Sequence, residues 1–186
     1  MQGYDAKDMA RSFRTVRANT IQTAEEIPEE SYGFRPAEGC RSVAETLAHI
    51  AVTPHFPHRF HSERITTPDF ALFSAAMQRQ LAQEAALTTK PQILEALRTG
   101  GEKFAAFLET LPDDVLSEKV TFPEGVEPRV KTRFELLLGT KEHEMHHRAQ
   151  LMVAQRMLGI VPHLTRQMQA RMEQFQQHQQ KAQTAS

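Results

Sequence analysis

With 186 residues, 40% of them hydrophobic, the chain is long enough to bury one core and reads as a single domain followed by a tail. Its formal charge of −1 arises from scattered acidic and basic residues, which leaves no electrostatic footprint for DNA or RNA, so no nucleic-acid partner is expected. No basic start leads into an apolar run, no apolar stretch approaches the roughly 20 residues that span a bilayer, and Cys40 is the one cysteine; a cytoplasmic protein with no membrane partner, no internal disulfide and no cysteine-rich zinc site is expected.

From Ala6 to about Glu26, Phe13, Val16, Thr20 or Ile21, Ala24 and Ile27 recur at helical spacing, and Pro28 ends the run. Residues 28–40 are rich in turn formers and read as a loop, with Cys40 a structural residue rather than a nucleophile. Ser42 followed by Glu45 is a capping box opening a helix that carries His49. Pro54 and Pro57 kink or end that helix, which leaves His55, His58 and His61 near its end or in the next loop, solvent-exposed, with His58 or His61 placed to line a pocket mouth. Phe70, Phe73, Met77 and Leu81 mark one face of a short helix between Pro68 and Leu87.

The next helix, Pro91 to Leu111, buries Ile93, Leu94, Leu97, Phe104, Phe107, Leu108 and Leu111; Gly100 and Gly101 within it imply a bend or a close helix contact. Residues 118–128 are too short and proline-rich for a sheet and give a connector or small hairpin. Thr132 with Glu135 is a second capping box, and its helix runs to about Leu158, where Gly159 stops it. Phe134, Leu136, Leu137, Leu138, Met145, Leu151, Met152, Val153 and Met157 lie nearly all the way round this helix, which predicts that most of it is buried. From His163, a stripe of Leu164, Met168, Met172 and Phe175 among glutamines predicts an amphipathic tail helix, packed on the core or on a second subunit, before a disordered end. The chain is therefore all-α, a four-helix bundle with short extra helices, divided into a domain at 1–162 and a tail at 163–186.

Three histidines in this pattern can carry chemistry. His143 and His147 lie about 40° apart around one helix and one turn apart along it, so their imidazoles can converge on an ion, whereas His146 is about 100° from His147 and points elsewhere. The bare spacing fits a pair of surface or half-buried histidines equally well. On a buried helix, however, each imidazole needs a partner, because an unpaired polar group in an apolar interior costs about 1–3 kcal/mol. A metal ion is one such partner. His49, flanked by apolar residues, reads alone as a hydrogen-bonded core histidine and, beside a matching pair on another inward face, as a third ligand. Glu45, Glu142 and Glu144 are candidates to orient ligands or act as bases, against a plainer reading as surface carboxylates, and Arg148 is either an anion binder or an ion-pair partner. Three neutral imidazoles leave a divalent ion an open position at which water or a thiol becomes a nucleophile, but they do not by themselves select the metal.

The run His143-Glu144-Met145-His146-His147-Arg148-Ala149-Gln150-Leu151, the later Leu158-Gly159-Ile160-Val161-Pro162 and the histidine in Ala44-Glu45-Thr46-Leu47-Ala48-His49 resemble the DinB superfamily of bacterial metal-binding four-helix proteins. The resemblance covers about residues 5–162, includes Val120-Thr121-Phe122-Pro123 and leaves the Gln-rich tail outside. It implies up-down-down-up connections, a homodimer, and a divalent ion (zinc or nickel, with iron or manganese as further candidates) held by His49, His143 and His147. Characterised relatives include bacillithiol- and mycothiol-dependent S-transferases and a thiol-dependent maleylpyruvate isomerase. The implied function is a metal-dependent transferase that uses a low-molecular-weight thiol on a small-molecule substrate. A metal-dependent hydrolase and a noncatalytic metal-stabilised stress-response or binding module are the alternatives.

Overall fold

Caps set where the principal helices begin. In the computed structural model, which describes residues 3–184, α1 (Ala6–Glu26) opens on Asp5, whose side chain accepts from the Asp8 backbone N–H. The helix α2 (Val43–Val52) opens on the expected Ser42 and Glu45 box. It is followed by α3 (His55–Ser62), α4 (Phe70–Ala86) and α5 (Lys90–Glu109), the last opening on a Thr89 and Gln92 box. A short α6 (Asp113–Leu116) leads into β1 (Lys119–Thr121) and β2 (Val130–Thr132), an antiparallel pair with Val120 opposite Lys131, which is the small hairpin read from the sequence. The helix α7 (Arg133–Met157) opens on the Thr132 and Glu135 box and stops at Gly159, whose φ of 77° is the left-handed conformation glycine adopts without strain; α8 (His163–Thr184) follows.

Side-chain pairings give the directions of the bundle. Arg14 on α1 reaches Glu102 and Glu109 on α5, while Glu25 at the other end of α1 meets Arg98, so these helices are antiparallel. Lys141 on α7 meets Ser12 and Arg148 donates to the Val16 carbonyl, which makes α7 parallel to α1. On α2, His49 meets His143 while Val43 lies beside Leu151 and Ala154, antiparallel to α7. The order is up-down-down-up for α1, α2, α5 and α7.

Two apolar clusters fill the ends of this bundle. One gathers Ala24, Ile27, Val43, Leu47, Ile93, Leu97 and Leu151; the other gathers Met9, Phe13, Phe104, Leu108 and Leu137. At about 1.5–3 kcal/mol for each large apolar side chain withdrawn from water, both ends are strongly held. Between them lies a polar layer at the level of Arg17, Glu144 and the histidines, and there Gly100 and Gly101 admit close neighbours without breaking α5. A Cβ on Gly101 would lie 2.7 Å from Arg17 Cγ, and one on Gly100 would lie 3.3 Å from the Ala51 carbonyl oxygen.

Several expectations need correction. The prolines end α2 but do not leave a loop, because Pro57 falls in the first turn of α3, where its missing N–H has no helical partner to lose. On that helix His55 is exposed and His58 sits half-buried against Phe107. His61, expected at the surface, is only 2% exposed, its Nδ1 3.1 Å from Arg133 Nη1. The stripe on α4 does not turn inward as a unit: Phe73 meets Phe56 and Phe122, but Phe70, Met77 and Leu81 are more than half exposed. This helix lies outside the bundle, against α2, and presents Gln80 and Glu84 to His49. Nor is α7 mostly buried, since Met145, Val153 and Met157 face solvent while its inward stripe carries Leu137, Thr140, Glu144, Leu151, Ala154 and Gln155. The tail helix packs on the core through its start, where buried His163 Nε2 lies 3.2 Å from Asn19 Oδ1; Met168, Met172 and Phe175 are exposed. The expected disordered end reaches residues 185–186, outside the described residues. Among the described residues no helix is long and apolar enough to cross a membrane.

Candidate metal centre

His49 on α2 and His143 and His147 on α7 meet in the polar layer. His143 Nε2 lies 3.1 Å from His49 Nε2 and 3.2 Å from His147 Nε2, and a ligand atom from each of the three falls within 4.8 Å of the others. His146, as its spacing predicts, stays outside, exposed, with Nε2 facing the Gln150 amide at 3.1 Å.

The outward nitrogens fix what the inward ones can do. His49 Nδ1 lies 2.7 Å from Glu84 Oε1, which can only accept when ionised, so Nδ1 carries the proton and Nε2 presents a lone pair. Gln80 Nε2 donates to the same Glu84 oxygen at 2.9 Å and braces it. His147 Nδ1 donates to Gln150 Oε1 at 2.9 Å, so its Nε2 is likewise a lone pair aimed inward. The third ring has no such partner, because His143 Nδ1 is buried without a hydrogen bond. One proton on His143 Nε2 can serve one neighbour well, not two. A cation accepted by all three rings would satisfy their inward nitrogens together.

The two separations from His143 Nε2 suit a divalent ion. Metal–nitrogen bonds of about 2.0–2.1 Å at roughly 90–110° set ligand nitrogens about 2.8–3.4 Å apart, a range that holds both Nε2 separations above. Outward N–H groups held by a carboxylate and an amide carbonyl are the usual support of imidazole ligands. Burial, followed by the charges of His147 and His49, lowers His143 to about 4, and burial also lowers His147 against the opposing pull of Gln150. Both rings are therefore neutral near pH 7, as ligation requires.

The carboxylates sort differently from the sequence reading. Glu144 is not on the surface: it is 2% exposed and takes three hydrogen bonds of 2.9–3.1 Å from Arg17, whose remaining donors go to the carbonyls of Leu97 and Ile50. One guanidinium thus ties all four bundle helices. Glu45 keeps the plain role, capping α2 and pairing with Arg35, and Glu142 is exposed. Arg148 is half-buried and donates to the Val16 carbonyl, an interhelix contact rather than a free anion site. Sequence reasoning missed Glu84, Gln80 and Gln150. Only the i, i+4 spacing of Gln80 and Glu84 signalled that they share a face.

A cavity of about 370 Å³ opens beside the cluster, bordered by His147, Gln150, Cys40, Arg41, Val43 and Leu151 among others. Cys40, read as structural, is an exposed free thiol on its wall.

Comparison with known proteins agrees with this architecture. The uncharacterized protein YjoA of Bacillus subtilis (strain 168) is 29% identical over 147 residues, covering 79% of this chain and 86% of YjoA. Its crystal structure, that of a DinB-like protein, superposes with a TM-score of 0.61 at 26% identity over 82% of this chain and 92% of that one. YfiT of Bacillus subtilis, described as a probable metal-dependent hydrolase with an unusual four-helix bundle topology, gives a TM-score of 0.66 at 16% identity over 86% of this chain and 91% of YfiT. The colibactin self-resistance protein ClbS, solved with double-stranded DNA, gives 0.62 at 13% identity over 84% of this chain and 98% of ClbS. At those identities YfiT and ClbS establish the fold alone, but the expectation of no nucleic-acid partner, drawn from scattered charge, fits poorly with a ClbS of this fold solved on DNA. The sequence profile of the DinB family matches residues 1–183, through α8 and beyond the limit near residue 162 drawn from motifs, and on that match the chain belongs to the DinB family.

Proposed function

We propose that the protein is a metal-dependent enzyme in which His49, His143 and His147 hold one divalent ion, zinc or nickel before iron or manganese. The observation that carries this reading is the convergence of three Nε2 atoms whose rings, at His49 and His147, commit their outward N–H groups to Glu84 and Gln150. An ion held there supplies a Lewis acid with an open position, at which the pKa of a water or thiol falls toward neutrality. Glu84 fixes the tautomer and ring plane of His49 and raises its basicity, and Gln150 does the same for His147 more weakly. The cavity bordered by His147 supports catalysis over a noncatalytic module, because it gives a small molecule access to the cluster.

Of the two nucleophiles, the surroundings favour a low-molecular-weight thiol and hence S-transfer. Glu45, Glu84 and Glu144 are each committed to a cap, a ring N–H or a guanidinium, and a thiol, with an ordinary pKa of about 8.5, needs a far smaller shift than water. Hydrolysis is the second reading, favoured by the description of YfiT. The proposal includes a homodimer, supported by the exposed Met168, Met172 and Phe175 of α8.

Metal analysis of the purified protein tests the centre: one equivalent of divalent ion is expected in the wild type and far less in His49→Ala, His143→Ala and His147→Ala. No stoichiometric ion in the wild type leaves a structural bundle with hydrogen-bonded histidines. Assays of thiol conjugation to an electrophile and of ester hydrolysis then separate the two reactions, and equal activity in the metal-stripped protein or in His147→Ala sinks the enzyme reading.

A further inference from the structure

We infer that the cavity beside the histidines binds a small organic anion, with Arg41 as the anchor for its carboxylate or phosphate group and Val43, Leu151 and Ala154 as the seat for its apolar body. This deepens the metal-enzyme reading and rests on it only for where the reacting end of the molecule lies. Four observations carry it. The cavity, about 370 Å³, is of small-molecule size, and no acidic residue lines it. Arg41 is exposed on its wall, and its side chain makes no hydrogen bond or ion pair among the described residues. Of the two carboxylates close to it in sequence, Glu38 makes no ion pair with it among the described residues, and Glu45 is already taken by the Arg35 guanidinium at 2.7 and 2.5 Å and by the Ser42 backbone N–H at 2.8 Å. Arg41 and His147 line this same cavity, which sets the guanidinium on the same side of the molecule as the cluster.

These features make a one-signed site. Arg41 contributes one uncompensated positive charge, and three neutral imidazoles leave the charge of a divalent ion undiminished. An anionic substrate is therefore drawn in and oriented, its charge on the guanidinium fork and its body along the apolar wall, with the far end toward His147. Arg41 in this role is a positioning residue for substrate, distinct from the Arg148 that the sequence suggested.

Cys40 provides the readout, because it is the only cysteine in the chain and stands on the same cavity wall. In the metal-loaded full chain, the rate of Cys40 alkylation by neutral iodoacetamide is followed against benzoate, phenyl phosphate and the uncharged benzamide. Benzoate or phenyl phosphate is expected to protect at much lower concentration than benzamide, and the better of the two names the preferred anion. Arg41→Ala is expected to raise the protecting concentration of that anion about tenfold, as for a charged contact at a partly exposed site, and to leave benzamide unchanged. Protection is a ratio within each variant, so any effect of Arg41 on the thiol itself cancels. Equal protection by benzamide, no protection by any probe, or full protection in Arg41→Ala overturns the proposal. The same titration after metal removal separates the two readings: anion protection that persists and depends on Arg41 upholds the pocket even if metal analysis finds no ion at the histidines. Protection that needs the ion and ignores Arg41 overturns the anchor while leaving the metal centre intact.

Discussion

His143 and Glu144 are neighbours on α7, and they feed two polar clusters of opposite character. In the Arg17–Glu144 pair every contact joins a donor to an acceptor, and the leftover guanidinium donors end on the Leu97 and Ile50 carbonyls. In the histidine cluster, one His143 Nε2 proton faces the lone pairs of two neighbours and His143 Nδ1 has no partner at all. The first cluster is complete and acts as architecture. The second is incomplete by the same accounting, and it is that deficit together with three converging imidazoles that makes it the candidate site.

Breaking the complete cluster has the largest expected effect. Glu144→Ala strands the Arg17 charge in the interior and should cost about 3–5 kcal/mol in urea denaturation, with or without metal, whereas replacing Arg17 and Glu144 together by apolar residues of similar volume should cost much less. If Glu144→Ala instead removes metal binding and leaves stability intact, the division between the two clusters is wrong. The same pair explains Gly101, since an alanine there meets Arg17 Cγ at 2.7 Å and Arg17 is too firmly bonded to step aside. Gly101→Ala should cost about 1–3 kcal/mol in the same assay, and a neutral result would show that Arg17 can shift.

The two clusters also differ in how legible they were. His143 and His147 announce themselves by spacing on one helix, and helix starts at Ser42 and Thr132 are written in local capping chemistry, so these could be read from the chain. Arg17 and Glu144 are 127 positions apart, and nothing local in either says that it is buried. Glu84 was illegible for a related reason: the apolar residues of α4 mark one face without saying which way it turns, and the helix is set so that the Gln80 and Glu84 row meets His49 while Met77 and Leu81 remain in solvent. His61 was misjudged because its burial depends on Arg133, brought beneath it by a helix far along the chain. Local signals were legible; polar partners drawn from distant helices were not.

The incomplete cluster predicts a functional rather than a structural cost when its support is altered. Glu84→Gln keeps an acceptor for the His49 N–H but removes the negative charge, and should weaken divalent-ion affinity about 10–100-fold in a chelator competition assay while leaving urea stability of the metal-free protein nearly unchanged. Unchanged affinity would make the Glu84 contact simple packing.

The smallest effect, and the sharpest contrast with Glu144→Ala, is expected from His143→Leu in metal-free protein. An apolar side chain of similar size removes a ring whose Nδ1 is buried unpaired, so stability near pH 7.5 should stay within about 1 kcal/mol of wild type. The difference should then depend on pH with a definite sign. His143 is lowered from 6.5 to about 4 by burial and by the neighbouring imidazoles, so between those values the unfolded wild type takes up a proton that the folded one refuses. Wild-type stability falls as pH drops through 6.5 and levels off near 4, where the folded ring also protonates; His147, lowered in the same direction, adds to the fall. His143→Leu lacks its share of that loss, so the variant should gain on the wild type as the solution is acidified from 7 toward 4. Urea midpoints at successive pH values in the presence of chelator measure it, and parallel curves would mean that the His143 ring is not held neutral by the fold.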